Sequence, residues 1–461
     1  MDDVIGYERV GDIAVLTVRN PPVNALSQAV RQGLWDRMDQ AEADAGVRAT
    51  MIVGEGRAFF AGADITEFGK PLMEPFLPDL IHRIEASPLI VVAAMHGVSL
   101  GGGLEVALGC HFRIAVPSAR VGLPEVHLGL IPGAGGTQRL PRLTGVEAGL
   151  EVMTTGRHVG ADEALALGIL DVVEDGDPRE IGLAYVQQLL EADALRRPVS
   201  EMALPVAVDW DAAFDATLAR GRGQISPAWC VRAVEAAYGG SFADGMAAER
   251  KIFMDLMATD QRQGMIHAFF SERAVSNLPE LKGVPPRDVA HIAVIGGGTM
   301  GAGIATAALL SGLRVHLLEM SEAACTAARD RIAGNLAGAL KRGKISAAAH
   351  AAMLNDALVI VTDYAALSEV DLVIEAVFED MDIKKQVFAQ LDAVCNPGCV
   401  LASNTSYLDI DEIAATTSRP ADVLGLHFFS PAHVMKLLEV VVGDQTAPDV
   451  VATGFALGKR R

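Results

Sequence analysis

The chain has 461 residues, too many for one ordinary domain, and 51% of them are hydrophobic, so it must bury more than one substantial core. Its 38 basic and 58 acidic residues give a formal charge of −20, which excludes nucleic acid and anionic membrane as partners for the surface as a whole. The opening residues, MDDVIGYERVGD, have neither a basic start nor an apolar core, and no apolar run reaches membrane-spanning length. A soluble cytoplasmic protein is the expectation.

The first apolar runs are short. IAVLTV (13–18), TMIVGE (50–55) and LIVVAAM (89–95) read as strands, separated by helical patterns at 28–45 and 75–86. That alternation is an α/β pattern. From about 195 to 285 strand signals stop, and helical stretches take over, among them AAERKIFMDLMATDQRQGMIHAFFSERAV. The joint LKGVPPRDVA (281–290) marks a boundary. HIAVIGGGTMGAGIATAALLSGLRVHLLEM then reads as strand, glycine turn, helix and strand. The five cysteines (110, 230, 325, 395 and 399) have no metal-like pairing. Cys395 and Cys399 flank a turn without a second Cys/His pair nearby, so reduced thiols and no metal are expected.

Residues 58–139 carry a first chemical constellation. AFFAGADI (58–65) runs an apolar strand end into a small-residue turn. MHGVSLGGGLEVALGC (95–110) gives a strand, a triple glycine and an amphipathic helix with Glu105 near its start. VGLPEVHLGLIPGAGGTQRL (121–140) places Glu125 after Pro124. Glycines at a helix start free backbone N–H groups where the macrodipole favours negative charge, so two of them can hold a thioester oxygen as it becomes an enolate. Two carboxylates on separate turns can hold one water and exchange protons with carbon. Taken singly, Glu105 reads equally well as an acid complementing a helix dipole, and Glu125 as a surface turn acid.

Together these segments resemble the crotonase (enoyl-CoA hydratase/isomerase) superfamily over roughly residues 5–190, with the two glutamates 20 residues apart. The resemblance implies that Ala63 and Gly102 supply oxyanion-hole N–H groups and that Glu105 and Glu125 form the acid–base pair. The loop of Ala61, Gly62, Asp64 and Ile65 would lie against the coenzyme A adenine. The implied reaction adds water across the C2–C3 double bond of a trans-2-enoyl-CoA. Glu105 deprotonates the water and Glu125 protonates C2; Δ3-Δ2-enoyl-CoA isomerisation is a second activity of the same pair.

The second constellation begins at Gly296-x-Gly298-x-x-Gly301, with Thr299 and Met300 opening the following helix. Glu319 closes the next strand 18 residues after Gly301, where an acid binds ribose hydroxyls and favours NAD over NADP. A ligand-free glycine turn is the alternative. His427 and Glu439 sit in apolar, strand-like runs, where a histidine is as readily a satisfied core residue; with a matching acid it becomes a base. These motifs resemble the NAD-binding domain of 3-hydroxyacyl-CoA dehydrogenases over roughly 289–461. On that resemblance Ser406 contacts the substrate hydroxyl, His427 is the base, Glu439 orients it, and Glu379 and Lys384 lie near the nicotinamide ribose. Ser430 stands where that family often has Asn after HFF.

The whole chain therefore resembles the multifunctional fatty-acid β-oxidation enzymes. The implied architecture is α/β: a crotonase (ββα spiral) domain at 1–190, a helical segment and linker at 191–288, and a Rossmann-type NAD-binding domain at 289–461. An acyl-CoA thioester is the implied substrate and NAD the cofactor, and a homo-oligomer is left open. In that family helical C-terminal domains follow and supply a further active-site Asn, whereas this sequence ends at VVATGFALGKRR. The expectation is intact hydratase activity with weak or absent NADH production. A lyase or isomerase alone and a non-catalytic acyl-CoA/NAD-binding module are the competing readings; the latter predicts loss of a carboxylate or of His427, and all are present.

Overall fold

Branched apolar runs form the strands, and glycines turn the chain between them. In the computed structural model, which describes residues 4–64, 67, 71, 73–275 and 277–460, β1 (Ile5–Val10) and β2 (Ile13–Val18) make an antiparallel hairpin across Gly11. The helix Gln28–Ala43, capped by the Ser27 hydroxyl accepting from Val30 N–H, returns the chain to β3 (Ala49–Gly54), parallel to β2. There follow β4 (Ile90–Met95), β5 (Val98–Leu100), β6 (Phe112–Ala115), β7 (Arg120–Gly122), β8 (Val159–Gly160) and β9 (Val172–Val173). Among the described residues they sort into one sheet of order β1-β2-β3-β4-β6-β9 and a second of order β5-β7-β8. All residues of β3 and β4 are buried, as expected of parallel strands covered on both faces.

The small sheet sets up the site. Its β5–β7 register pairs Leu100 with Gly122, and Gly101 N–H donates to the Gly122 carbonyl at 2.9 Å. The triple glycine is thereby fixed beside the segment that leads to Glu125. The helix Gly102–Gly109 is not amphipathic, contrary to expectation: all eight residues are buried, because it passes through the core and not along its surface.

Helices beyond residue 190 pack into the same compact unit, Met1–Ser271. The long helical stretch predicted there is two helices, Phe242–Met257 and Asp260–Val275. Ser241 and Asp244 form a capping box at the start of the first. The break falls at Thr259, whose hydroxyl donates to the Leu256 carbonyl and accepts from Arg262 N–H. Gly245 lets the first helix approach the helix Gly136–Thr144, since a Cβ there would lie 2.2 Å from Gln138 Oε1.

The second unit, Glu272–Arg461, contains β10 (His291–Ile295), β11 (Arg314–Leu318), β12 (Leu358–Val361), β13 (Leu372–Glu375), β14 (Val400–Ser403), β15 (Val423–Phe428) and β16 (Leu438–Val441). Their order is β12-β11-β10-β13-β14-β15-β16, parallel except for β16. The strand order reverses at β10, the Rossmann-type switch point, where a crevice opens at the carboxyl ends of the strands.

A buried ion pair ties the first unit together. Arg139 donates to both oxygens of Glu85, at 3.2 and 2.6 Å, with the side chains 1% and 4% exposed. Burial pushes the Glu85 carboxyl up, but the Arg139 bonds and charge and the Ser200 N–H outweigh it, leaving the pKa below its ordinary value. Glu85→Ala strands a buried guanidinium and should cost about 3–5 kcal/mol of stability in urea unfolding. Because the folded pKa is depressed, this contribution is present above about pH 4.3 and is lost as pH falls through the folded value.

Candidate active site

Glu105 lies in the first turn of the helix Gly102–Gly109 and is 3% exposed. Its Oε1 accepts two backbone bonds, from Ala134 N–H and Gly136 N–H, both at 2.8 Å. A Cβ on Gly136 would sit 2.9 Å from that oxygen, which explains the glycine. Glu125 opens the short 3-10 helix Glu125–Leu128. As a residue it is half-buried, yet its Oε2 is enclosed and meets no hydrogen-bond partner among the described residues. Gly101 has φ +54°, and a Cβ there would approach Glu125 Oε1 to 2.9 Å. The glycine turns thus press against both carboxylates.

The two glutamates are held differently. Burial, then the charge of Glu105, raises the Glu125 carboxyl well above the usual range. Burial also raises Glu105, but the Ala134 and Gly136 N–H groups and the Arg139 charge oppose the shift. Within the pair the proton therefore belongs on Glu125.

Ala63 and Gly102 also meet. Ala63 bridges to Leu26, and a Cβ on Gly102 would lie 3.6 Å from Ala63 N. The Gly102 N–H belongs to a first helical turn, whose N–H groups lack intrahelical acceptors. Ala61 donates its N–H to the Val23 carbonyl, and Gly62 takes φ +125° with its carbonyl accepting from Leu26 N–H. Asp64 accepts from Glu67 N–H at its carbonyl; Ile65 lies outside the described residues. Beside the turn that holds Glu105 is a mainly apolar cavity of about 390 Å³, lined by Phe76, Pro78, His82, Gly133, Phe242 and Met246 among others.

One buried carboxyl beside the site carries no motif. Glu249, in the middle of the helix Phe242–Met257, is completely buried. Its Oε1 accepts from Gly135 N–H at 2.7 Å, and its Oε2 from Thr137 N–H at 3.1 Å and the Thr137 hydroxyl at 2.6 Å. Burial and the charge of Glu105 push its carboxyl up to about 8. The available sequence signal is slight: a glutamate four residues after Gly245, on the face that the helix buries.

In the second unit the glycine turn follows β10. Gly296 takes φ +92°, Gly298 is the N-cap residue of the helix Thr299–Leu310, and Met300 lies in its first turn. A Cβ on Gly301 would lie 1.8 Å from the Gly296 carbonyl oxygen, so the turn requires glycine. Glu319, just past β11, accepts from Gly297 N–H at 2.7 Å. This cradle and its acid fit the pyrophosphate and ribose of NAD.

His427 and Glu439 are directly opposite each other on antiparallel β15 and β16. His427 Nδ1 and Glu439 Oε2 are 2.7 Å apart, and the side chains are 18% and 53% exposed, so the histidine is not a core residue. Ser406 is exposed and its N–H donates to Glu379 Oε1 at 2.8 Å. Lys384 is buried: its Nζ donates to both Glu375 oxygens, at 2.9 and 3.0 Å, and lies 3.2 Å from Glu379 Oε2. Glu375 and Asn404, which accepts from Phe428 N–H beside His427, carry no role in the sequence reading. Both are short polar interruptions at strand ends.

Residues 8–196 match the family model for Enoyl-CoA hydratase/isomerase, and residues 291–461 that for the 3-hydroxyacyl-CoA dehydrogenase NAD binding domain. The chain is 44% identical to the peroxisomal bifunctional enzyme of Danio rerio, over 98% of this chain and 64% of the relative. It is 40% identical to that of Cavia porcellus, over 97% and 63%. It is 37% identical to the glyoxysomal fatty acid beta-oxidation multifunctional protein MFP-a of Brassica napus, over 97% and 64%. The chain thus spans slightly less than two thirds of these relatives' length.

The glycine cradle gives a direct test. Gly301→Ala should weaken NAD binding at least about tenfold by driving the turn apart, read by fluorescence titration with unchanged circular dichroism.

Proposed function

Because the chain joins a domain of the enoyl-CoA hydratase/isomerase family to a 3-hydroxyacyl-CoA dehydrogenase NAD-binding domain, we propose that it hydrates trans-2-enoyl-CoA and oxidises the resulting 3-hydroxyacyl-CoA in fatty-acid β-oxidation. The observation that carries hydration is the unequal pair. Glu105 Oε1 is held by two N–H groups, while the enclosed Glu125 Oε2 has no partner among the described residues.

In the proposed reaction the thioester oxygen accepts from the Ala63 and Gly102 N–H groups, which stabilise the charge that develops there. Glu105 removes a proton from water as its oxygen bonds to C3. The C2–C3 π electrons move toward the thioester, and Glu125 delivers its proton to C2. The net result is H and OH added across one double bond. The apolar cavity lined by Phe76, Phe242 and Met246 suits an acyl chain, and the loop of Ala61, Gly62, Asp64 and Ile65 is proposed to meet the adenine end of coenzyme A.

For oxidation, Gly296, Gly298, Thr299, Met300, Gly301 and Glu319 would hold the dinucleotide, with Glu379 and Lys384 toward the nicotinamide ribose. NAD, when bound, supplies the hydride acceptor. His427 takes the hydroxyl proton at Nε2, because Nδ1–H donates to Glu439 and fixes that tautomer. Ser406 is proposed to hold the same hydroxyl. The five free, buried thiols suit a reducing compartment, and the cytoplasm is the compartment we propose.

Glu125→Gln should lower crotonyl-CoA hydration by about 10²–10⁴-fold, followed as loss of enoyl absorbance; wild-type turnover in that variant would sink the assignment. Wild-type hydration should decline as pH rises through the raised Glu125 pKa, since the protonated acid is the active form. The NADH formation from 3-hydroxybutyryl-CoA that this chain retains, expected to be weak, should be lost in His427→Ala while hydration is unchanged.

A further inference from the structure

The turn Ala134–Thr137 is shared between two buried carboxylates. Going along the chain, Ala134 N–H donates to Glu105, Gly135 N–H to Glu249, Gly136 N–H to Glu105 and Thr137 N–H to Glu249. Both bonds to Glu105 fall on one oxygen, Oε1. Glu249 uses both of its oxygens and takes the Thr137 hydroxyl as a third donor. Each carboxylate thus fixes alternate peptide groups, and neither can shift its pair of N–H groups without disturbing the other's. Gly135 makes the alternation possible, since its φ of +100° turns the chain into the helix Gly136–Thr144.

We propose that Glu249 is a positioning residue for hydration: it anchors the Ala134–Thr137 turn so that Ala134 and Gly136 hold Glu105 by one oxygen, leaving the other to take a proton from water. The proposal rests on the hydration reading. It gives the helix Phe242–Met257, which lies outside the matched hydratase residues 8–196, a part in that chemistry. A carboxyl group with two accepting oxygens is specifically required. A glutamine keeps the size, but its NH₂ cannot accept from Gly135 or Thr137.

The experiment compares the full chain with Glu249→Gln, Thr137→Val and Thr137→Ser, using crotonyl-CoA hydration and amide hydrogen exchange. Misplacement of the base by the loosened turn should lower kcat in Glu249→Gln about 10–100-fold, with KM within about twofold. The Ala134 and Gly136 amides should exchange faster, although their own acceptor is untouched. Thr137→Val, which removes one donor, should lower kcat about threefold to tenfold, and Thr137→Ser should restore it. Wild-type kcat in Glu249→Gln overturns the proposal, including the case where only its Tm falls. Should Glu249→Gln not fold, equal kcat in the Thr137→Val and Thr137→Ser variants overturns it. A wild-type chain that hydrates no enoyl-CoA overturns the hydration reading instead. Exchange at Ala134 and Gly136 then decides the anchoring role alone, and unchanged rates reject it.

Discussion

Placing ionisable carboxylates inside an apolar core is the constraint on which the first unit is built. An isolated buried carboxylate costs several kcal/mol. Here the compensation comes from backbone N–H groups at the start of the helix Gly136–Thr144, where first-turn donors have no intrahelical acceptors. That requirement explains the local sequence. Gly135 supplies a positive φ, Gly136 leaves room for the Glu105 oxygen, and Gly245 lets the neighbouring helix come close enough to deliver Glu249. The Glu85–Arg139 pair fixes the same helix within its first half. The glycine-rich segment is therefore a device for bringing donors to acids.

The second unit meets its polar burial differently. Lys384, 1% exposed, is neutralised by Glu375, which is fully buried and also accepts from the Ser403 hydroxyl at 2.6 Å. Glu379 carries the network outward to Thr405 and Ser406. Burial alone would raise the Glu379 pKa, but the bonds from Thr405, Ser406 and Lys384 bring it below the ordinary value, so it stays ionised. A chain of charge-assisted bonds thus runs from the interior of β13 to the exposed rim of the crevice, and each member fixes the rotamer of the next. His427 and Glu439 need no such chain. Direct cross-strand register on β15 and β16 sets their distance.

Much of this was legible in the sequence, and what was not has a physical cause. The strands at 13–18 and around 50 and 90 were readable because continuous apolar runs satisfy a sheet buried on both faces. The turn Gly296–Gly301 was readable because the backbone geometry admits no side chain at Gly301. The His427–Glu439 pairing was suggested by residue type, but its register depends on a strand junction that no local pattern shows. The helix Gly102–Gly109 was misjudged as amphipathic because Glu105 looks like a solvent-facing acid unless its donors, some 30 residues later, are known. Glu249 was invisible for the same reason on a larger scale. Its partners at Gly135 and Thr137 lie 114 and 112 residues away, and a lone glutamate in a charged helix normally faces water.

The same logic accounts for how two identical side chains divide acid from base. Glu105 and Glu125 differ only in their surroundings. Two N–H groups stabilise the charged form of Glu105, whereas the enclosed Glu125 Oε2 has no donor among the described residues and faces the field of Glu105. Like charges in one enclosed space discourage double ionisation, so the first proton lost leaves the group that holds the N–H donors, Glu105. In the proposed hydration, addition of water would therefore begin with the base empty and the acid loaded. It ends with the proton on Glu105 and the charge on Glu125, the less stable arrangement. Return of a proton from Glu105 to Glu125, directly or through the next water, restores the starting state. The asymmetry that sets the direction of proton delivery thus also resets it, and it arises from donors placed on one side of the pair alone.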